Sequence, residues 1–174
     1  GSVSVYKRQG DKRRLIALVL AAACGGCAHD PVVLGRDALA RGDDRGAVRH
    51  LQAALRRDDR DATVWRDLAR AHQRGGQIEP GYSAITRAAE LEPKDPSIVL
   101  VRAQLRIARE DREGAASDAR WLLGRLKDAG DLERLAIVFV RLGDAEHALD
   151  AARGAVERSG GAADAYANLA VIAV

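Results

Sequence analysis

The feature that most constrains this chain is a pattern of large and small apolar residues that returns about every 34 positions. The clearest copy lies in residues 62–95 and contains Trp65, Leu68, Ala69, His72, Gly81, Ile85, Ala88 and Pro93. A period of this length is the signature of repeat architectures, in which each unit buries its apolar face only against its neighbours. The sequence therefore predicts a stack of small, similar units in place of one central core.

Other windows of the chain carry the same pattern. Residues 28–61 contain Leu34, Gly35, Ala38, Ala47, Leu51 and Ala54, and residues 129–162 contain Leu135, Ala136, Phe139, Ala148, Ala152 and Ala155. Residues 96–128 form the weakest copy, because Arg102 stands where Leu is expected and the copy is one residue short. A further copy starts at residue 163 and runs to residue 174. The pattern thus predicts four repeats and the beginning of a fifth within residues 28–174.

Each copy has the marks of two helices joined by a turn. Its apolar residues are spaced three and four apart, which places them on one face of a helix. Asp30–Pro31 and Asp95–Pro96 match a capping residue followed by a proline in the first turn of a helix. A heptad coiled coil, the main alternative, lacks regularly spaced glycine breaks. Glycines, which end helices readily, separate the two halves of most copies: Gly42, Gly75, Gly76 and Gly143.

These residues resemble the tetratricopeptide repeat pattern, W-x2-L-G-x2-Y followed by A-x3-F and P. In the clearest copy Trp65, Leu68 and Pro93 match outright, His72 stands in place of Tyr, and Ile85 stands in place of Phe. The resemblance implies an all-α fold, a right-handed α-solenoid of antiparallel helix pairs. It also implies a concave groove, lined by the first helix of each pair, that holds a peptide or helix of a partner protein. We expect His72 to pack between helices as Tyr would.

The resemblance also indicates which side chains line that groove. Arg66, Arg70 and Arg74 are spaced four apart, so one helical face carries three guanidiniums. Such a row favours an acidic protein or peptide ligand, since a guanidinium can bind a carboxylate through two parallel hydrogen bonds. The alternative is an ordinary solvated face with ion pairs such as Asp67 with Arg70. Chaperone-binding members of the family hold carboxylates with Asn and Lys, from which Arg66 and Arg70 differ. The full set of predicted groove residues is Arg36, Thr63, Arg66, Arg70, Arg74, Gln104, Glu133, Ile137 and Arg141.

Residues 1–27 have the layout of a secretory signal: a basic region, nine apolar residues at positions 15–23, and then small residues. The apolar segment is too short to span a membrane, which takes about 20 residues. A cysteine directly after small residues resembles the lipid-attachment site of bacterial lipoproteins. Cys24 is favoured over Cys27, although the usual upstream Leu is missing before both. The alternatives are an unlipidated segment or, for the Cys24–Cys27 pair, a redox, haem or metal site.

The charge balance argues against nucleic acid as a partner. Residues 1–27, here called the leader, have an excess of four positive charges. Because the whole chain carries +3, the rest of the chain carries −1. Catalytic patterns are also missing from the sequence. The four histidines, His29, His50, His72 and His147, are isolated from any set of Cys or carboxylates at metal-ligand spacing. We therefore expect no enzyme activity, cofactor, metal or small-molecule substrate.

Two hypotheses about the function remain open. The first is a lipid-anchored scaffold at the periplasmic face of the bacterial outer membrane, similar to the repeat lipoproteins that assist assembly of pili or secretion complexes. The second is a general adaptor, soluble or inner-membrane-associated, in regulation or envelope polysaccharide biosynthesis. The apolar residues 169–174 lack the polar cap that repeat arrays need. They predict either further repeats or a partner that covers them, or a short packed terminal helix.

Overall fold

A computed structural model describes residues 30–159 of the chain. Within that range the chain forms eight α-helices and no β-strand. They are α1 (Pro31–Arg41), α2 (Asp44–Leu55), α3 (Ala62–Arg74), α4 (Ile78–Leu91), α5 (Pro96–Ala108), α6 (Arg112–Leu122), α7 (Ala129–Leu142) and α8 (Ala145–Arg158). Successive helices form four antiparallel pairs, one in each of the four repeat windows.

An aspartate caps nearly every helix. Seven of the eight helices between residues 30 and 159 begin after an aspartate whose side chain accepts a hydrogen bond from a backbone N–H of the first turn, which satisfies donors that have no partner within the helix. Pro31 and Pro96 occupy the first positions of α1 and α5, as the sequence predicts. The capping residues are Asp30, Asp43, Asp61, Asp95, Asp111, Asp128 and Asp144.

The turns inside the helix pairs lie at the predicted glycines. Gly42, Gly76 and Gly143 have φ of 79°, 73° and 82°, the left-handed conformation that ends a helix and that glycine adopts without steric cost. The third pair places Glu110 at the equivalent position, with φ of 65°. Glu110 is the only residue other than glycine with positive φ in residues 30–159. The third repeat, the weakest copy of the pattern, therefore keeps the turn but lacks the glycine that favours its conformation.

Small side chains allow the helices of a pair to approach closely. A Cβ atom added to Gly35 in α1 would lie 2.6 Å from Cγ of Leu51 in α2. Ala47, Ala115 and Ala148, which occupy one repeat position, are fully buried. This agrees with the small residues that the repeat pattern predicts at these positions.

The buried side chains form two clusters that meet at α5. The first cluster extends from α1 to α5 and includes Ile98 and Leu105. The second extends from α5 to α8 and includes Val99, Leu100 and Phe139. The core is therefore distributed along the stack, and α5 contributes opposite faces to both parts of it.

The stack is curved. First helices of neighbouring repeats contact one another, in the pairs α1–α3, α3–α5 and α5–α7. Second helices of neighbouring repeats make no such contact in the described part of the chain. Because the first helices lie closer together, they form the concave face of an α-solenoid.

The third repeat replaces an apolar contact by an ion pair. Arg102 lies where the other copies have Leu, and it donates from Nε and Nη2 to the two carboxylate oxygens of Asp118 in α6, at 2.9 and 2.6 Å. Arg106 donates to the same carboxylate at 2.7 Å. The pattern of apolar residues is thus broken at this repeat, yet α5 and α6 remain closely paired.

Candidate binding cleft on the concave face

Four of the predicted groove residues meet in one cleft between α1 and α3. The cleft, here called the arginine cleft, has a volume of about 440 Å³. It is lined by Arg36, Leu39, Ala40, Arg66, Asp67, Arg70 and Arg74. Its walls come from the first helices of repeats one and two, so it lies on the concave face.

A buried carboxylate holds two of these arginines. Asp67 is only 4% exposed and accepts from Arg36 Nε at 2.8 Å and from Arg66 Nη2 at 2.9 Å. Arg36 also donates to the hydroxyl of Thr63, and Arg66 donates to the hydroxyl of Ser97, both across repeats. Arg36 and Arg66, which line the cleft, therefore also tie neighbouring repeats together, whereas Thr63, also predicted for the groove, lines neither this cleft nor the one described below.

Arg74 is also held by its neighbours. Its Nε lies 3.1 Å from Oδ1 of Asp44, and its Nη1 donates to the carbonyl oxygen of Leu39 at 2.8 Å. The contact joins α3 to the first repeat at the rim of the cleft. Its side chain remains nearly half exposed.

Arg70 differs from the other three arginines of the cleft. Among residues 30–159 it has no hydrogen-bond or ion-pair partner. The close Asp67–Arg70 ion pair that the sequence suggested is wrong, because Asp67 pairs with Arg36 and Arg66 and acts on Arg70 only at longer range. Burial lowers the pKa of the Arg70 guanidinium, and the positive charges of Arg134 and Arg66 lower that pKa further, while the carboxylates of Asp67 and Asp131 oppose this change. Arg70 is thus a half-buried cation on which charges of both signs act.

The repeat register explains why Arg70 lacks a partner. Arg36 in the first repeat pairs with Asp67 in the second, 31 residues later. Arg70 is the equivalent of Arg36, since it lies 34 residues further on, and the equivalent of Asp67 is Val101. Val101 is buried and offers no acceptor. The second repeat therefore has the arginine, Arg70, but the third repeat lacks the carboxylate that would pair with it as Asp67 pairs with Arg36.

The arginine cleft is lined by four guanidiniums and one carboxylate, that of Asp67. Asp44 pairs with Arg74. Asp61 and Asp95 act electrostatically on Arg36 and Arg66 respectively. Arg70 is the guanidinium of this cleft with which no carboxylate of residues 30–159 forms a hydrogen bond or ion pair. Guanidiniums have a fixed charge and donate hydrogen bonds only, so this surface is suited to binding an anion.

A second, more apolar cleft lies further along the concave face. It has a volume of about 290 Å³ and is here called the apolar cleft. It brings together three of the predicted groove residues, Gln104, Ile137 and Arg141, and the side chain of Ile137 is 51% exposed. Its full lining is Gln73, Ile78, Gln104, Ile107, Ala108, Ile137, Val138 and Arg141. Glu133, also predicted for the groove, lines neither cleft.

Sequence reasoning missed Asp67, the carboxylate that lines the arginine cleft. Asp67, Val101 and Arg134 occupy the same position of successive repeats, yet none was predicted as a groove residue. Aligning the copies at this position gives Val33, Asp67, Val101 and Arg134, and such an alignment would have shown which repeats carry the acid.

The predicted lipid-attachment residues, Cys24 and Cys27, lie outside the described residues. Between residues 30 and 159 no helix has both the length and the apolar character that a membrane crossing requires. Over the same range no group of His, Cys, Asp and Glu side chains is placed to hold a metal ion.

Comparison with known proteins identifies the architecture. No family model and no curated protein sequence matches the chain. Among solved structures it is similar to TTC0263, a thermophilic TPR protein of Thermus thermophilus, with a TM-score of 0.72 at 18% identity over 95% of both chains. It is also similar to MamA from Desulfovibrio magneticus RS-1, with a TM-score of 0.61 at 15% identity over 82% of this chain and 81% of MamA.

A third similar structure is YrrB, a TPR protein with an unusual peptide-binding site, with a TM-score of 0.57 at 15% identity over 87% of this chain and 80% of YrrB. These structures share helix pairs stacked as in the present chain. The eight described helices therefore have the fold of a tetratricopeptide repeat α-solenoid.

Proposed function

We propose that this protein is a non-catalytic scaffold that binds an extended, acidic segment of a partner protein along its concave face. The observation that carries the proposal is that four arginines line the arginine cleft, and that one of them, Arg70, has no hydrogen-bond or ion-pair partner among residues 30–159. Carboxylates on a ligand would supply the acceptors that the cleft's own residues do not provide. Complementary charge of this kind favours both the encounter and the choice of partner.

The shape of the concave face supports a polypeptide ligand. The arginine cleft and the apolar cleft lie on the same face, on α1–α3 and on α3–α7 respectively, and together they extend over all four repeats. Extended peptides can contact several pockets in succession through alternate side chains. The peptide-binding site of YrrB offers a precedent within the same fold.

The proposal is tested with two fluorescent peptide pools that differ only in charge. One pool is rich in Glu and Asp, and the other has Gln and Asn at the same positions. We expect the acidic pool alone to raise fluorescence anisotropy with the full chain, and we expect added salt to weaken this binding.

Two double variants locate the binding. Arg70→Gln with Arg74→Gln removes two charges from the arginine cleft, and we expect most of the binding to be lost. Arg87→Gln with Arg153→Gln removes two charges from exposed side chains on α4 and α8, outside both clefts, and should leave binding intact. Equal binding by the two double variants, or equal binding of the two pools, would contradict the proposal.

We further propose that the leader directs this scaffold to the periplasmic face of the bacterial outer membrane through a lipid on Cys24, or on Cys27. The support is the order of basic, apolar and small residues before the cysteines. In bacterial cells a palmitate analogue should label the chain. Cys24→Ala should abolish the label and Cys27→Ala should not, and no label on the unaltered chain would remove the proposal.

An anchored scaffold at that place would assist assembly of a pilus or secretion complex. A general adaptor, soluble or at the inner membrane, is the alternative that an unlabelled chain would favour. Capture of partners from envelope extracts, compared between the unaltered chain and the Arg70→Gln, Arg74→Gln variant, would separate these roles by the partner that depends on the cleft.

A further inference from the structure

We infer that the outward face of α2, in the first repeat, binds anionic phospholipid headgroups and holds this end of the array against a membrane. The surface is formed by three exposed arginines, Arg45, Arg49 and Arg56, and is here called the α2 row. The inference goes beyond the peptide-binding role, since it concerns a different face and a different kind of partner. Its choice of a membrane rests on the proposed destination of the leader.

The three arginines of the α2 row lie on one side of the helix. They are spaced four and then seven residues apart, which returns to the same side of an α-helix. From Arg45 to Arg56 the row extends roughly 16 Å along the helix axis. Within residues 30–159 none of these three side chains has a hydrogen-bond or ion-pair partner. A row of free guanidiniums of this length can donate hydrogen bonds to several phosphates at once.

The α2 row is specific to the first repeat. At its three positions the other repeats have carboxylates or neutral residues in place of arginine. The residues in register are Glu79, Glu113 and Glu146 for Arg45, Ser83, Ser117 and Asp150 for Arg49, and Glu90, Gly124 and Glu157 for Arg56. In α4 and α8, Arg87 and Arg153 each lie beside a carboxylate of the same helix. Because all four repeats share the packing of a helix pair, that packing does not require arginine at these positions.

Nearby carboxylates do not neutralise the α2 row. Asp44, at the start of α2, pairs with Arg74 of α3 at 3.1 Å. The other exposed charges at the two ends of α2 belong to arginines and aspartates in equal number: Arg41, Asp43, Arg57, Asp58, Asp59 and Arg60. Those charges sum to zero, so the row keeps its own positive charge. Such a surface is attracted to the negative potential of a membrane that contains anionic phospholipid.

An apolar cleft, here called the tryptophan cleft, opens beside one end of the α2 row. It has a volume of about 410 Å³ and is lined by Gln52, Leu55, Arg56, Asp59, Trp65 and Leu68. Nε1 of Trp65 donates to the carbonyl oxygen of Asp59 at 2.8 Å. Tryptophan is enriched where a membrane meets water, because its ring is apolar and its N–H is polar. The tryptophan cleft therefore favours a lipid, whose glycerol and upper acyl chains can enter it while the phosphate contacts Arg56.

The leader joins the first repeat at the same end as the tryptophan cleft. Because α1 and α2 are antiparallel, α2 ends close to the start of α1 at Pro31. Cys27 and Cys24 precede Pro31 by four and seven residues. A fully extended chain of that length reaches roughly 14 to 25 Å. A lipid on either cysteine would therefore hold this end of α2 near the headgroups, and the concave face, formed by the first helices, would stay open to a partner.

The first experiment measures how fast phenylglyoxal modifies each arginine of the full chain, with mass spectrometry as the readout. Vesicles of phosphatidylglycerol and phosphatidylcholine in equal parts are compared with vesicles of phosphatidylcholine alone. We expect only the anionic vesicles to slow modification of Arg45, Arg49 and Arg56. Arg87 and Arg153 are internal controls on α4 and α8 and should react at an unchanged rate. Because each arginine is measured separately, attachment of vesicles through the leader alone does not produce this result.

Two triple variants measure the contribution of the α2 row to vesicle binding. Arg45→Gln, Arg49→Gln and Arg56→Gln together should weaken binding to anionic vesicles roughly a hundredfold, since each arginine near such a surface contributes roughly fivefold. The matched control, Arg87→Gln, Arg153→Gln and Arg158→Gln together, removes the same charge from α4 and α8 and should bind as the unaltered chain does. The leader is identical in both variants, so its own affinity cancels in the comparison. Thermal melting confirms that both are folded.

Three results would overturn the inference. The first is equal vesicle binding by the two triple variants, and the second is equal protection of the α2 row by the two kinds of vesicle. The third is a variant without the row that keeps vesicle binding but loses the acidic peptide pool or a single-stranded oligonucleotide. The row would then be a surface for protein or nucleic acid.

The same measurements keep this inference separate from the proposed function. The variant without the α2 row should still bind the acidic peptide pool, whereas Arg70→Gln with Arg74→Gln should lose the pool and keep the vesicles. Protection of the row in a chain that takes up no palmitate label would support this inference and remove the lipid anchor. A labelled chain whose row is not protected would do the reverse.

Discussion

Arg102 and Asp118 form a two-point ion pair inside the third helix pair, with Nε donating to Oδ2 at 2.9 Å and Nη2 donating to Oδ1 at 2.6 Å. Asp118 is only 5% exposed, and Arg106 donates to the same carboxylate. The hydrogen bond with Asp118 raises the pKa of Arg102, so the guanidinium remains charged. At the positions of Arg102 and Asp118 the second repeat has Leu68 and Ala84.

We predict that Asp118→Ala lowers the free energy of unfolding by about 3 kcal/mol, because removing one partner of a buried ion pair leaves uncompensated charge. Replacing the whole group with the residues of other repeats, Arg102→Leu, Arg106→Phe and Asp118→Ala together, should recover most of that loss. Urea denaturation measures both. Asp150→Ala, which removes an exposed partner of Arg153, should change stability by less than about 1 kcal/mol. Equal losses for Asp118→Ala and Asp150→Ala would contradict the prediction.

Glu110→Gly should stabilise the protein by about 1 kcal/mol. Glu110 has φ of 65°, a conformation that carries a steric cost for any residue with a Cβ and that the equivalent Gly42, Gly76 and Gly143 adopt freely. Its side chain makes no hydrogen bond or ion pair within the described residues, so the change removes no contact there. Thermal melting measures the gain. Gly143→Ala is the matched opposite change and should lower the melting temperature.

Ala148→Trp should destabilise the fourth helix pair by about 1–3 kcal/mol or more, since overpacking a close approach forces neighbouring side chains from their positions. Ala148 is completely buried between α7 and α8. Circular dichroism during thermal melting is the measurement. Glu146→Trp, at an exposed position of the same helix, is the control and should melt near the unaltered chain. Unchanged melting of Ala148→Trp would argue against the repeat packing.

Stability should decrease as the pH falls below about 4. Burial by itself would raise the pKa of Asp61 and Asp95, but hydrogen bonds from the hydroxyls of Thr63 and Ser97, and from backbone N–H groups, lower both values below the usual range. A carboxylate whose pKa is lower in the folded state stabilises that state above its unfolded pKa. This contribution is lost as the pH falls through the folded pKa.

Urea denaturation at about pH 6 and about pH 3 measures this loss. Asp95→Asn keeps a capping oxygen but cannot titrate, so the difference in stability between the two pH values should become smaller. A difference as large as that of the unaltered chain would show that the capping carboxylate does not contribute.

The fold follows from the sequence because its determinants are local and repeated. The turn at Gly143, the caps at Asp30 and Asp95, and the buried Ala148 could each be predicted from a single copy and checked against the next. His72 lies buried with Nδ1 2.6 Å from Gln77, in the packing role predicted for it in place of Tyr. The periodicity of the sequence is therefore enough to predict most of the structure of the helix pairs.

The candidate site was predicted less well, because its properties depend on which repeat faces which. The spacing of Arg66, Arg70 and Arg74 correctly suggests a common face, and three guanidiniums do line one cleft. The sequence does not show that Asp67 pairs with Arg66, or that Arg134 acts electrostatically on Arg70 from two repeats away. Those relations depend on the curvature of the stack, which a pattern within one repeat does not specify.

The position of α5 between two hydrophobic clusters has a thermodynamic consequence. Ile98 and Leu105 belong to the side shared with α1–α4, and Val99 and Leu100 belong to the side shared with α6–α8. In an array where each repeat contacts only its neighbours, the two halves of the described helices are thus coupled through α5. Fraying that begins at either end must melt α5 before it can reach the other half. A ligand that contacts both halves would suppress the partial unfolding of each. Ligand binding should therefore slow backbone amide hydrogen exchange at residues far from the contact.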